Sequence, residues 1–224
     1  MVTVTEAVLT RRSTRAFLPV PIAGGLIEEI LALAARAPSG GNLQPWRVDA
    51  VAGEALDEIR RLARESLATD PKGEPMELTI YPSPLPEPWR SRRFSSGEAL
   101  YATLGIPRED KAARLAQFSR NFDFFGAPAA LFFSIPRLFD RPQWAHLGMF
   151  MQNVMLLAEE RGLATCPQEA WAAVSGSVSA LLELPEDHLL YCGMAIGRPD
   201  PAHPANALRT EREPVTNFAR FRGF

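Results

Sequence analysis

The sequence predicts an α+β fold in a single domain spanning residues 1–224. Apolar residues recur at helical spacing in several stretches, and short runs of strand-forming residues separate them. A chain of 224 residues, 46% of them apolar, can bury one substantial core. Helices are expected near 5–11, 23–36, 54–67, 97–103, 108–121, 142–161 and 171–183. Strands are expected near 46–51, 129–135 and 188–196, with a short extended piece around 163–166.

The first elements are indicated by their ends as much as by their spacing. Thr5 is a plausible N-cap, and Glu6 places an acid in the first helical turn. Apolar residues then fall on one helical face from about Ile22 to Ala37, and Pro38 ends that pattern. An extended run over 46–51 follows.

Three later segments have distinct patterns. Gln143 to Arg161 carries apolar residues at helical spacing, which predicts a central helix buried against a sheet or a partner subunit. Residues 70–90 are rich in proline and irregular, so they are expected to be mobile or to cover something. The tail, 198–224, mixes prolines, arginines and isolated aromatic residues without a core period.

The cluster Arg11-Arg12-Ser13-Thr14-Arg15 is suited to binding a phosphate. If it runs extended, Arg11, Ser13 and Arg15 share one face, because side chains alternate along a strand. Two guanidinium groups and a hydroxyl can then surround a phosphate dianion, since arginine donates paired hydrogen bonds. The alternative is a solvated charged turn.

A second motif, Pro38-Ser39-Gly40-Gly41-Asn42-Leu43-Gln44-Pro45-Trp46, follows the second predicted helix. Its glycines allow close backbone approach, and the Gln44 amide offers both a donor and an acceptor to a flat polar ring. The alternative is an ordinary helix-to-strand loop. Together the two motifs favour a phosphorylated aromatic cofactor, with FMN as the leading candidate.

Composition argues against several other classes. A net charge of −2 gives no reason to expect nucleic-acid binding, and no long apolar run or leader-like N-terminus indicates a membrane protein. Cys166 and Cys192 are too few for a disulfide framework, which favours a reducing, cytoplasmic location. The three histidines have no metal-ligand spacing, so no metal site is expected.

Five motifs, in order, resemble the nitroreductase family of FMN-dependent oxidoreductases. After the two clusters come the segments 121–128, N-F-D-F-F-G-A-P, and 162–171, G-L-A-T-C-P-Q-E-A-W, and then G-R-P at 197–199 with R-E-P-V at 212–215. The resemblance is greatest to nitrobenzoate-reductase-like members. It implies a nitroreductase-like fold, with a central, mostly antiparallel sheet flanked by helices in an intertwined homodimer. It also implies a proline-rich insertion near 70–95 and a tail, 198–224, that embraces the other subunit.

The same resemblance implies the activity and the site. NAD(P)H would reduce FMN, and the flavin would pass two electrons to a nitroaromatic or quinone-like acceptor in ping-pong order, with no catalytic side chain required. The implied cofactor-binding residues are Arg11, Arg12, Ser13, Arg15, Pro38, Ser39, Gly40, Asn42, Gln44, Asn121, Pro167, Gln168, Glu169, Ala170, Arg209 and Arg212. Arg15 would face the N1 edge of the flavin, Arg11, Ser13 and Arg212 would hold the phosphate, and Arg12 would contact the ribityl side. Pro38, Ser39, Gly40 and Asn42 would come from the opposite subunit.

The acceptor pocket is expected to involve Phe124, Trp89 and Arg93, with the arginines of the insertion favouring anionic aromatic substrates. A packing tryptophan in a solvated loop is the alternative.

Two positions depart from the family pattern. Thr210 stands where many relatives have a basic residue, so a phosphate contact is either lost or moved to Arg209. Asp123 stands near a lysine of shorter relatives; an acid there either points away or leaves the contact to Arg120 or Asn121.

Other functions stay open at this point. A flavin-dependent reductive dehalogenase or enone reductase would use the same site. A flavin-binding protein without turnover would not consume NAD(P)H. A nucleic-acid binder using Arg11–Arg15 would show steep salt dependence and no colour.

Overall fold

The computed structural model describes residues 2–224, and its centre is one four-stranded sheet. The strands are β1 (Arg47–Ala52), β2 (Ala129–Pro136), β3 (Ala164–Gln168) and β4 (His188–Gly197), in the order β1-β2-β4-β3. Every neighbouring pair is antiparallel. The predicted α+β class and antiparallel sheet are therefore confirmed.

Seven α-helices surround the sheet in the described chain. They are α1 (Val4–Thr10), α2 (Gly24–Ala34), α3 (Gly53–Thr69), α4 (Trp89–Thr103), α5 (Lys111–Ser119), α6 (Arg141–Glu160) and α7 (Ser175–Leu181). Two boundaries differ from expectation. Helix α4 begins eight residues before the predicted 97, and none of its residues is buried, so no apolar period marked its start. The predicted helix at 171–183 is a 3-10 segment, Glu169–Val174, followed by the shorter α7.

The two faces of the sheet carry separate apolar layers. Successive residues of β2 alternate between them, with Phe132 in the layer of α3 and α7, and Leu131 and Phe133 in the layer of α2 and α6. Helix α6 buries Leu147 and Val154 completely, which confirms the predicted central helix. Burial of this kind stabilises by roughly 1.5–3 kcal/mol per large apolar side chain.

The predicted role of Phe124 in the acceptor pocket is wrong. Its side chain is 0% exposed and stacks on Trp171 with ring centroids 4.5 Å apart. Phe124 and Phe125 both adopt positive φ, 50° and 55°, which turns their rings into the core. A side chain that is fully buried in the core cannot contact an acceptor.

The insertion is irregular until α4 begins, and Glu74 fixes its start. The carboxylate of Glu74 accepts hydrogen bonds from the backbone N–H of Gly176, at 2.7 Å, and of Ser177, at 3.2 Å. Those donors belong to the first turn of α7, where unpaired N–H groups favour an anion. The insertion is thereby attached to the domain close to where it leaves α3.

The tail has no regular element beyond two 3-10 turns, Pro204–Ala207 and Val215–Asn217. Asn206 holds the first turn in place. Its Oδ1 accepts from the Arg15 N–H at 2.8 Å, and its Nδ2 donates to the carbonyls of Ala16 and Asp200, both at 2.8 Å. Beyond residue 208 nearly every residue is exposed, including Phe218, Phe221 and Phe224.

Candidate cofactor and acceptor site

The arginine cluster runs extended beside the sheet, which is the condition under which Arg11, Ser13 and Arg15 share one face. Ser13 forms a parallel bridge with Thr165 of β3, and the Thr14 N–H donates to the Thr165 carbonyl at 3.0 Å. Thr14 is 0% exposed, whereas Ser13 and Arg15 on either side are partly exposed. Since side chains alternate along an extended segment, burial of Thr14 turns its neighbours away from the core.

These residues meet the tail in one cavity of about 510 Å³, here called the arginine cavity. Its lining includes residues from both ends of the chain that the sequence assigned to the cofactor: Arg11, Arg12, Ser13, Arg15, Arg209 and Arg212. Thr210 also lines it, and its Oγ1 accepts a hydrogen bond from Arg212 Nη1 at 2.6 Å. The threonine that replaces a basic residue therefore orients its arginine neighbour.

The charges in the arginine cavity are poorly compensated. The pKa of Arg12 is lowered, first by burial and then by the nearby charge of Arg209, and its Nε has no hydrogen-bond partner. The pKa of Glu159 is raised because burial penalises its carboxylate, even though Thr10 and the arginines favour the charged form. A bound anion would satisfy donors that the protein leaves free, so the donor set fits a phosphate.

A larger cavity of about 1020 Å³, here called the insertion cavity, lies beside the predicted ring-binding segment. Pro167, Gln168, Glu169 and Ala170 line it on one side, and the insertion with Arg90 and Arg93 of α4 lines it on another. The two cavities share α6, because Met151 faces the insertion cavity and the adjacent Gln152 faces the arginine cavity.

Some polar groups of the insertion cavity are hydrogen-bonded to one another. The Gln168 Nε2 donates to the Asn121 backbone carbonyl at 2.7 Å, while its buried Oε1 has no partner. The Tyr191 hydroxyl donates to the Glu169 carboxylate at 3.0 Å. Asn121 thus fixes the side chain of Gln168, and the unpaired Gln168 oxygen remains as an acceptor beside the cavity.

The Ser39–Gln44 loop lies outside both cavities of its own chain. Asn42 and Gln44 adopt positive φ, 56° and 49°, and the Gly40 N–H donates to His146 Nε2 at 3.3 Å. Pro38, Gly40, Asn42 and Gln44 are all exposed. Positive φ is common for Asn in turns but uncommon for Gln, so the loop is strained at Gln44, and strain of this kind concentrates at functional sites.

Other predicted residues have varied positions. Arg93 lines the insertion cavity, whereas Trp89 does not and is 56% exposed at the start of α4. Asp123 pairs with Arg60, with Nε and Oδ1 3.2 Å apart, and lines neither cavity. The acid therefore points away, which is one of the two outcomes that the sequence left open.

Two positioning residues were missed by sequence reasoning. Asn206 joins the tail to the arginine cluster, and Thr165 joins that cluster to β3. Neither contact has a signal in the sequence, because each depends on segments that are distant along the chain. Cys166, next to Thr165, is buried, and burial raises its pKa to about 11, as expected for an inert thiol.

Residues 2–224 contain neither a metal-binding cluster nor a helix that could span a membrane. No group of three or more His, Cys, Asp or Glu side chains is arranged to hold a metal ion. Within the same range, no helix combines the length and apolarity needed to cross a bilayer.

Fold and site together define an α+β oxidoreductase scaffold of the nitroreductase type. The chain belongs to the Nitroreductase family, whose sequence model matches residues 8–198. It is 38% identical to a 4-nitrobenzoate reductase of Pseudomonas putida over 97% of this chain and 94% of the relative. It is 36% identical to a nitrobenzene nitroreductase of Ectopseudomonas oleovorans over 96% of this chain and 95% of the relative.

Solved structures agree with the sequence relatives. An FMN and NADPH-dependent nitroreductase, NfnB from sphigopyxis sp. strain HMH, superimposes with a TM-score of 0.96 at 45% identity, covering 99% of this chain and 100% of that one. NfnB from Mycobacterium smegmatis, solved in complex with NADPH, gives a TM-score of 0.91 at 27% identity over 98% of each chain. The predicted family and nitroreductase-like fold are confirmed.

Proposed function

We propose that this chain binds FMN and uses NAD(P)H to reduce nitroaromatic or quinone-like acceptors by two electrons in ping-pong order. The observation that carries the proposal is that the two cavities are held next to each other. The Ser13–Thr165 bridge lies two residues before Pro167, so the arginine segment and the ring-binding segment are held together through β3. A ligand with a phosphate at one end and a flat ring at the other fits that pairing.

Different residues would bind different parts of FMN. Arg11, Ser13, Arg209 and Arg212 would hold the phosphate, because all four line the arginine cavity and can donate to a phosphate. Arg12 would contact the ribityl side, and its buried, unpaired Nε supports that position. Pro167–Ala170 would lie along the ring, with Asn121 holding Gln168 in place.

Arg15 would provide the charge at the pyrimidine edge of the ring. A cation there stabilises negative charge that develops on reduction. Its backbone N–H donates to Asn206, and its Nη1 donates to the Ser13 carbonyl at 3.3 Å. Both the backbone and the guanidinium of Arg15 are therefore held by hydrogen bonds. FMN, when bound, supplies the electron transfer itself, since it exchanges two electrons with NAD(P)H and with the acceptor.

The overall reaction balances without a nucleophilic side chain. Reduction of a nitro group to a nitroso group takes two electrons and two protons and releases one water. NAD(P)H provides the two electrons with one proton, and solvent provides the second. The side chains then have to bind the cofactor and the acceptor, orient them and exclude water. The cavity linings allow this.

A homodimer is part of the proposal. Pro38, Ser39, Gly40, Asn42 and Gln44 lie outside both cavities of their own chain, so they would complete the site of a second copy. The exposed apolar residues of α1 and the tail, among them Val4, Leu9 and Phe218, would be covered in the same assembly.

The first test is the visible absorption spectrum of the purified protein, with mass spectrometry of any chromophore released by heat. Bound FMN and consumption of NAD(P)H with a nitroaromatic acceptor are expected. Bound flavin without NAD(P)H consumption would favour a binding protein. A colourless protein that also fails to take up added FMN would contradict the proposal.

Two further experiments test residue roles. Arg15→Ala should weaken flavin retention and lower the flavin reduction potential, and an unchanged potential would exclude Arg15 from the ring edge. Mixed dimers of an Arg212→Ala chain and an Asn42→Ala chain should recover one intact site if sites are shared. Purely additive loss would instead indicate sites built within one chain.

A further inference from the structure

The insertion cavity contains one cation that the protein does not neutralise. Arg90, Arg93 and Glu169 are the charged residues of its lining. Arg90 pairs with Glu87, with Nε and Oε1 2.7 Å apart. Glu169 receives the Tyr191 hydroxyl at 3.0 Å. Among residues 2–224, no carboxylate lies within 4.0 Å of Arg93, so its charge has no direct counter-ion.

The position of Arg93 preserves its capacity to bind an anion. Its guanidinium carbon lies 4.4 Å from the centroid of the Tyr81 ring, which also lines the cavity. A guanidinium stacked on an aromatic face keeps its N–H donors in the guanidinium plane, where they can pair with both oxygens of a carboxylate. Tyr81 thus supports Arg93 without using its donors.

The relatives do not settle the charge of the acceptor. One reduces an anionic compound, 4-nitrobenzoate, and another reduces neutral nitrobenzene, at almost equal identity to this chain. The choice therefore depends on what lines the cavity of this particular chain. We infer that Arg93 selects aromatic acceptors that carry a carboxylate, by pairing its guanidinium with that group. The inference rests on the proposed function, because it concerns the acceptor of the same site.

Arg90 has a different role in this scheme. Its Nε donates to the Glu87 carboxylate, so Arg90 is already paired, and Arg93 is the cation left to position an acceptor carboxylate. Glu169 would repel an anion placed beside it, and it is carried by the segment after β3, whereas Arg93 is carried by α4. An acceptor carboxylate is therefore expected at the α4 wall of the cavity.

The test compares two acceptors that differ in charge but hardly in size, 4-nitrobenzoate and 4-nitrobenzamide. Arg93→Gln removes the charge and keeps a polar side chain of similar reach. It should lower kcat/KM for 4-nitrobenzoate by about tenfold or more, the usual effect of losing one charge-assisted hydrogen bond. The value for 4-nitrobenzamide should change by less than about twofold. Comparing variant with wild type cancels the intrinsic difference in reactivity between the two acceptors.

Arg108→Gln is the matched control. Arg108 also stacks on an aromatic ring, with its guanidinium carbon 5.2 Å from the Phe94 centroid, but it does not line the insertion cavity. Its replacement should leave the ratio of the two kcat/KM values unchanged. Arg93→Lys, which keeps the charge and loses the paired donors, should recover part of the preference.

Three outcomes would overturn the inference. Equal losses for both acceptors would indicate a structural role for Arg93, and no loss for either would remove it from the site. A parallel loss of kcat/KM for NADPH would show that Arg93 serves the nicotinamide cofactor instead. If neither acceptor is reduced by the wild-type, flavin-loaded protein, the proposed function fails, which is a separate result.

A measurement on the wild-type protein keeps the inference testable if the variants fold poorly. Benzoate and benzamide cannot be reduced at a nitro group, so each acts only as a competitor of 4-nitrobenzamide. Benzoate should inhibit at a lower concentration than benzamide, and its advantage should shrink as salt screens the ion pair. Equal inhibition by the two compounds would contradict the inference.

Discussion

Replacing Arg209 with alanine tests whether a tail arginine makes the phosphate contact that Thr210 cannot make. Arg209 lines the arginine cavity together with Arg12 and Arg212. Its Nη1 donates to the carbonyls of Asn206 and Leu208, at 3.3 Å and 3.2 Å. These two bonds use one nitrogen, so the remaining guanidinium donors are free to bind a phosphate.

The expected loss can be worked out from two opposing effects. A hydrogen bond to a charged group contributes about 1.5–3 kcal/mol. Arg209 is exposed, and it also repels Arg12, whose pKa it lowers, so its removal relieves part of that repulsion. The lower end of the range is therefore expected, and about 1.5 kcal/mol corresponds to a roughly tenfold weaker affinity for FMN.

The assay is a fluorescence titration of the flavin-free protein with FMN and, separately, with riboflavin. Riboflavin lacks the phosphate, so Arg209→Ala should weaken FMN binding and leave riboflavin binding unchanged. Arg220→Ala is the control, because Arg220 is an exposed tail arginine that lines neither cavity. The difference between variant and wild type should also shrink at high salt.

Two results would refute the reasoning. Equal weakening of FMN and riboflavin would mean that Arg209 acts through the conformation of the tail and not through the phosphate. Unchanged FMN affinity would mean that the contact missing at Thr210 is not replaced by Arg209.

Other predictions concern stability and the attachment of the insertion. Gly193→Ala should lower stability by about 1–3 kcal/mol, because its new Cβ would lie 2.6 Å from Trp171 Cδ1. Thermal unfolding against Gly25→Ala, which has open space around it, checks this prediction, and equal melting temperatures would contradict it. Glu74→Ala should speed proteolysis within 75–88, because the insertion loses its bonds to the first turn of α7; an unchanged cleavage rate would show that other contacts hold it. Glu159 has a raised pKa in the folded chain, so the folded state holds its proton more tightly and stability falls as pH rises through that pKa. Flavin-free Glu159→Gln should therefore be more stable than wild type near about pH 7 and about equal near pH 4, by chemical denaturation; a constant difference at both pH values would contradict this.

Much of the framework could be predicted from local patterns. Helix α6 was predicted because its apolar spacing extends over five turns, and strands β2 and β4 because they are continuous apolar runs. The start of α4 could not be predicted, since a helix without buried residues has no apolar period. Phe124 was misassigned because the sequence does not show whether the backbone turns an aromatic side chain near a site motif into the core or out of it.

The candidate site likewise has features that could be predicted from the sequence and features that could not. The residues proposed to bind the phosphate could be recognised from the sequence, because clustered arginines and a hydroxyl suit one chemistry wherever they lie. Their convergence could not be recognised, since Arg12 and Arg209 are almost two hundred residues apart in sequence. The contact depends on Asn206, whose hydrogen bonds to Arg15 and Ala16 appear only when the tail folds back.

By itself, the sequence determined the class of fold, the family and the types of residue available to bind a phosphate and a flat ring. The fold class and the residue types follow from spacing and chemical type, which are properties of short segments, and the family follows from the resemblance of its motifs. Only the tertiary structure decided that Asp123 points away, that Phe124 is buried and that Arg93 keeps an uncompensated charge in a cavity. Each of those outcomes depends on which distant side chain lies within a few ångströms, and that is fixed by packing of the whole chain.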